Sequence, residues 1–292
     1  MARHRGGCAI ATVCSSATLP NGETMTKISI LGVPNDDNSS FMKGPADAPP
    51  LIRRALYSDA YSLWTETGIE LGVAGRLVDR GDIQFAGAGD PWDVIERAVE
   101  HAMEPGDPLL CLGGDHAITH PIMRAVRRRH PSLTILHIDA HPDIYHAYQD
   151  NPRSHASPFA RIMEEQLADR LIQVGIRALN DHHREQYQRF GVEVVPAGRW
   201  GPDLRFDLST PLYITIDLDG LDPAYAPGVS HREPGGPSPR QVIDLLHTID
   251  QPIVAADIVE CNPRCDISNM TPIVAAKLAK ELCGMMVKTA RR

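Results

Sequence analysis

A chain of 292 residues with 42% hydrophobic residues can bury a sizeable core as one large or two ordinary domains. A net charge of −8 and a pI near 5.9 argue against nucleic acid as the main partner, and 5% aromatics leave little for stacking bases. No apolar run reaches the about 18 residues that a membrane span needs.

The six cysteines are scattered and form no C-x-x-C pair, which fits reduced thiols in the cytoplasm or an organelle matrix. The first 25 residues read differently from the rest. Arg3, His4 and Arg5 precede a weakly apolar, Ser/Thr-rich stretch ending at Pro20. That composition fits a disordered tail, an upstream start codon with Met25 as the real beginning, or an organelle-targeting leader. Residues 26–292 are expected to form a single domain.

From residue 27 the pattern becomes regular. An apolar run over 27–33 reads as a strand, followed by a polar Gly/Pro loop over 38–50 and a helix from about 50 to 56. Asp90 and Pro91 open a helix over 92–103. A short buried strand at 108–112 runs into Gly113-Gly114-Asp115-His116, and a helix with an arginine-rich solvated face covers 122–129. Next come a strand at 133–138, a helix at 158–167, a strand at 171–176, a polar helix at 181–189 and a strand at 192–195. A strand at 212–216 leads into Asp217-Leu218-Asp219. A Pro/Gly-rich loop over 223–239, a helix at 240–247, a strand at 252–259 and a helix at 270–285 close the chain. Short apolar runs alternating with helical patterns imply βα units, hence an α/β protein with a mainly parallel sheet covered on both faces.

Candidate chemistry gathers where those strands end, which is where ligands bind in open α/β sheets. His116 follows the run at 108–112; Asp217 and Asp219 follow the run at 212–216. In Asp139-Ala140-His141-Pro142-Asp143 the three polar residues alternate, and Pro142 disfavours helix, so extended backbone would aim all three at one point. Four carboxylates and two imidazoles exceed what one catalytic zinc needs, and uncompensated carboxylates would repel. Two divalent cations resolve both difficulties, and an oxygen-rich set with some imidazole suits Mn(II), with Fe, Co, Ni or Zn as alternatives. His137 shares the parity of Asp139 but lies deeper, as a buried, hydrogen-bonded residue; Asp257 and Glu260 in the last strand read as structural.

The segments Gly113–His116, Asp139–Asp143 and Thr215-Ile216-Asp217-Leu218-Asp219-Gly220-Leu221-Asp222-Pro223 resemble the three signatures of the ureohydrolases, the arginases, agmatinases and related enzymes. Asn38-Ser39-Ser40-Phe41, Ser154-His155-Ala156-Ser157, Gly228-Val229-Ser230-His231 and Glu233-Pro234-Gly235-Gly236 bring the likeness nearest to plant-type arginases. The resemblance implies a three-layer α/β/α sandwich, usually a homo-oligomer of three or six chains. It implies that His116, Asp139, Asp143 and Asp217 hold one manganese and Asp139, His141, Asp217 and Asp219 the other.

On the same basis His155 is the proton-shuttling histidine. Asp219 is expected to accept or relay a proton, and Glu233, in the loop after the third signature, to pair with the guanidinium. Asn151 and Ser154 are expected at the pocket rim as binders of an α-carboxylate, with Arg153 facing either inward or to solvent. Asn180 stands where animal arginases carry an aspartate for the α-amino group, which weakens transfer of that contact. The expected reaction takes L-arginine to urea and L-ornithine, with agmatine or another guanidino compound as the alternative substrate. A dimetal phosphatase would need basic residues beside the ligands, and none stands there. A non-catalytic metal-binding relative would have lost ligands, and all six are present.

Overall fold

Strands that are apolar at every position must lie between two covering layers. The computed structural model describes residues 25–103 and 106–290, so the expectations for the leader fall outside the described residues apart from Met25. Its strands are β1 (Ile28–Val33), β2 (Leu77–Asp82), β3 (Leu109–Gly113), β4 (Thr134–Ile138), β5 (Arg170–Ile176), β6 (Glu193–Pro196), β7 (Leu212–Asp217) and β8 (Ile253–Val259). They form one eight-stranded sheet in the order β2-β1-β3-β8-β7-β4-β5-β6, and every pairing is parallel. All residues of β1, β3, β4 and β7 are buried.

The two faces follow from strand parity. Ile28, Ile30, Leu110, Leu112, Leu136 and Ile216 pack on one side with α1 (Ala48–Leu56), α6 (Pro239–His247) and α7 (Met270–Thr289). Leu31, Val33, Leu109, Cys111, Ile135 and Leu171 face the other side. There they meet α2 (Pro91–Met103), α3 (Thr119–Arg129), α4 (Pro158–Glu164) and α5 (Asp181–Phe190). The expected three-layer sandwich is what the chain builds. After β3 the chain crosses to β4, runs outward through β5 and β6, and returns to place β7 and β8 in the gap. The ends of β3, β8, β7 and β4 therefore lie side by side at the centre of the sheet. No described helix is long and apolar enough to cross a membrane.

The edge strand β2 has no counterpart in the sequence reading. Its segment, Leu-Val-Asp-Arg-Gly-Asp, is largely charged and half exposed, so no alternation marks it. Salt bridges stand in for apolar burial: Arg53 of α1 reaches Asp79 and Asp82 of β2, each at 2.8 Å. Gly32 of β1 makes room for the Asp82 carboxylate, because a Cβ there would come within 1.8 Å of Oδ1. Replacing Arg53 with Met should therefore loosen β2 alone. Hydrogen exchange is expected to accelerate at residues 78–82 but not in β3 or β7, with a global cost of about 1 kcal/mol.

Candidate metal centre

The turn after β3 presents the first ligand candidate. Asp115 caps a short 3-10 helix by accepting from the Ala117 amide at 3.2 Å, and it anchors the 38–39 loop by accepting from Asn38 N and Ser39 Oγ. His116 is thereby turned into the protein with no exposed surface. Its Nε2 meets Thr215 Oγ1 at 3.0 Å. Its Nδ1 faces Oδ2 of Asp143, Asp217 and Asp139 at 3.0, 3.2 and 3.3 Å, yet makes no well-formed hydrogen bond. A buried nitrogen ringed by three carboxylate oxygens, without hydrogen-bond geometry, has the form of a ligand set around a cation.

Beyond β4 the backbone does not stay extended. It bends, and Asp143 adopts a left-handed φ of 44°, a conformation that Asp tolerates better than most residues. Asp139, His141 and Asp143 consequently fall into two candidate groups rather than at the single point expected from alternation. Asp139 and Asp143 join His116 and Asp217, whereas His141 joins Asp139 and Asp219, so Asp139 belongs to both groups. His141 Nδ1 lies 3.2 Å from Asp219 Oδ2 and 3.5 Å from Asp139 Oδ1. Asp217 accepts from the Asp219 amide at 2.8 Å through Oδ1. The six residues thus offer two oxygen-rich sets with an imidazole in each, which fits two divalent ions.

The electrostatics agree. Burial raises Asp217 well above the carboxylate range, helped by Asp219 and Asp139. Burial likewise pushes Asp219 up to about 7, against the pull of His141 and with the push of Asp139. Burial would also raise Asp139, but His137, His116 and His141 outweigh it and hold the carboxyl low. On His116 burial opposes the charge, and the three facing carboxylates reverse the balance. The oxygens that favour a proton on His116 would favour a cation beside it.

Above this cluster lies a cavity of about 360 Å³, reached by His141, Asp143, Asp217, Asp219, His155, Asn180, Glu233 and Glu260. His155 is buried, with Nδ1 on Glu260 Oε1 and Nε2 on Ser40 Oγ, both at 2.8 Å. Burial would lower its pKa, and Glu260 reverses this and takes it up to about 9. Glu233 stands half exposed at the rim, with Oε1 3.8 Å from His141 Nε2. Asn180 caps α5 and donates to Tyr145 Oη at 2.5 Å.

Asn151 and Ser154 do not reach the cavity wall. Asn151 donates to Asn38 Oδ1 at 3.2 Å and closes the turn with Tyr148, while Ser154 is buried and accepts from the Ala156 amide. Arg153 also faces away, paired with Asp90 at 2.8 Å and stacked on Trp92, and does not line the cavity.

The sequence profile of the Arginase family matches residues 26–284. The chain belongs to the arginase family. Members of that family are metal-dependent ureohydrolases that work with two metal ions. "Arginase 1, mitochondrial" of Arabidopsis thaliana is 46% identical over 285 residues, covering 91% of this chain and 83% of that protein. "Agmatinase" of Bacillus anthracis is 31% identical over 275 residues, covering 90% of this chain and 93% of its own. Among solved structures, "Arginase from Medicago truncatula" superposes with a TM-score of 0.85 at 40% identity, covering 89% of this chain and 87% of that one.

Within this arginase-family site two residues carry more than the sequence reading gave them. Glu260, read as structural, lines the cavity, accepts from His116 N and His155 through Oε1, and sits at a φ of 62° just past β8. Its place at a fourth strand end was the available signal. His231, the last residue of the Gly228–His231 motif, also lines the cavity, with its ring 5.5 Å from that of His155. Asp257 keeps its structural role, accepting from Thr119 Oγ1 at 2.7 Å and from the Tyr213 hydroxyl.

The shared carboxylate depends on a glycine. A Cβ on Gly220 would lie 2.8 Å from Asp139 Cα and 3.0 Å from its nitrogen. Gly220→Ala should push these two turns apart. Circular dichroism should stay native-like while Mn(II) uptake, measured by inductively coupled plasma mass spectrometry, drops by tenfold or more.

Proposed function

We propose that this protein hydrolyses L-arginine to urea and L-ornithine. The observation that carries a hydrolytic reading is Asp139, common to two candidate cation sets beneath an acidic cavity. The substrate is supported by relatives: 46% identity to a protein named arginase against 31% to one named agmatinase. Residues 26–292 would act as one domain, assembled as trimers or hexamers. The plant relative's name favours an organelle matrix over the cytoplasm.

In this reading His116, Asp139, Asp143 and Asp217 would hold one Mn(II), and Asp139, His141, Asp217 and Asp219 would hold the other. Bound together, two such ions would supply a water that loses a proton near neutral pH. The side chains supply the rest. A guanidinium is a planar cation whose resonance resists attack, so it must be held still and stripped of solvent by carboxylates. Glu233 offers one at the rim. Glu260 offers another, buried and kept ionised by His155 against the effect of burial. Both protein donors to Glu260 use Oε1, leaving Oε2 for a ligand. Asp219 accepts a proton from the attacking water, and His155, protonated at neutral pH, delivers one to the departing amine.

The α-end of the substrate would lie against Asn180 and the hydroxyls of Tyr145 and Tyr148. A second reading, agmatine, draws on one observation. None of the described residues lining the cavity is Lys or Arg, so no lysine or arginine there demands a carboxylate. Urea release from arginine, agmatine and guanidinobutyrate decides between them, with kcat/KM expected to be highest for arginine. A higher value for agmatine would overturn the assignment.

The proton roles carry a pH signature. His155 has to keep its proton, and its pKa is raised above that of free histidine, so activity should persist beyond neutrality and fall as pH passes about 9. His155→Ala should lower kcat by roughly 100-fold, abolish the alkaline limb and leave metal content unchanged. Unaltered turnover in that variant would remove His155 from the reaction.

A further inference from the structure

His137 poses a question that the metal centre leaves open. It is fully buried on β4, and its ring lies close enough to His116 and Asp139 for the three to form a candidate metal-binding group of their own. Whether it is a ligand depends on which ring nitrogen carries the hydrogen, and a residue on the neighbouring strand settles this.

Gln173 of β5 is the register partner of His137 and is also fully buried. Its Nε2 lies 2.6 Å from the carbonyl oxygen of Pro142 and 3.0 Å from His137 Nδ1. A carbonyl oxygen only accepts, so the atom beside it must be the amide NH2 group. Exchanging the two ends of the amide would bring two oxygens face to face at 2.6 Å, even though the present orientation leaves Gln173 Oε1 buried without a partner. The second amide hydrogen then points at His137 Nδ1, which has to accept it. The imidazole hydrogen is therefore on Nε2, 2.7 Å from Asp139 Oδ2.

We propose that Gln173 is a positioning residue for the cation pair: it holds His137 as the Nε2–H tautomer, so that His137 donates to Asp139 and is excluded from coordination. Asp139 is then held from both ends, because its Oδ1 accepts from the His141 amide at 2.6 Å. Phe159 keeps the His137 ring in plane, stacked at 4.1 Å between centroids. The bond to Pro142 ties the same amide to the residue between His141 and Asp143. One buried side chain thus steadies the shared carboxylate through His137 and the turn that carries two further candidate ligands. Outer partners of this kind change metal affinity by about 10–100-fold when removed. The inference rests on the cation reading for its consequence but not for its geometry.

The test has two arms, both on the full chain. Long-range 1H–15N correlation spectra of the metal-free, 15N-histidine-labelled protein report the tautomer of His137, assigned by its loss in His137→Phe. The expected result is a protonated Nε2 and an unprotonated, hydrogen-bonded Nδ1; an Nδ1–H ring overturns the proposal. Titration with Mn(II), followed by the electron paramagnetic resonance signal of the free ion, gives the affinity. Gln173→Met and His137→Phe should each weaken Mn(II) binding by 10–100-fold, and the double variant should be no weaker than the weaker single one. Wild-type affinity in Gln173→Met, or multiplicative losses in the double variant, would show that Gln173 does not act through His137. If Gln173→Met does not fold, the wild-type spectrum decides alone. If the wild type binds no Mn(II), the cation reading fails while the tautomer measurement still stands.

Discussion

Mutual repulsion among Asp139, Asp143, Asp217 and Asp219 is the constraint around which this molecule is arranged. All four are buried, and their oxygens crowd around His116 and His141. Even at an effective dielectric of about 20, two unit charges 4 Å apart repel by about 4 kcal/mol. Two imidazoles cannot offset four such charges; burial first, and the neighbouring carboxylates after it, push Asp217 and Asp219 upward. Divalent cations supply the missing charge, and an acidic cavity above them suits a substrate that is itself a cation.

The fold holds these groups against one another because a parallel sheet ends all its strands on one side. The late insertion of β7 and β8 between β3 and β4 is the step that matters. It brings the turns of His116, Asp217 and Glu260 next to that of Asp139. Gly220 then allows the β7 turn to rest on the backbone of Asp139 itself. The apolar layers fix the strand ends, and the polar contacts of Asp115, Gln173 and Arg177 fix the turns that leave them. Arg177 alone donates to the carbonyls of Gly175, Asp219, Gly220, Leu221 and Glu233, which binds the third signature to the Glu233 loop.

Much of this was legible in the residues. Central strands announce themselves as unbroken apolar runs, and the six candidate ligands stand at strand ends in patterns too particular for chance. What escaped was whatever depends on partners far along the chain. β2 is held by Arg53 rather than by its own hydrophobicity. Gln173 means nothing until the sheet register sets it beside His137. Arg153 has no direction in a sequence, and only its pairing with Asp90 and stacking on Trp92 take it out of the cavity. Glu260 was hidden because a carboxylate ending a buried strand looks structural until His155 is placed against it. The alternation of Asp139, His141 and Asp143 implied a single point, whereas the bend at 140–141 and the left-handed backbone of Asp143 divide them between two candidate groups.

The most direct trial of this account is metal stoichiometry after Mn(II) loading and exhaustive dialysis, compared between the wild type, Asp143→Asn and Asp139→Asn. Asp143 belongs to one candidate group and Asp139 to both. The account predicts two ions per chain in the wild type, one after the Asp143 change and none after the Asp139 change. A wild type that takes up a single ion, or an Asp139→Asn protein that retains two, would contradict it.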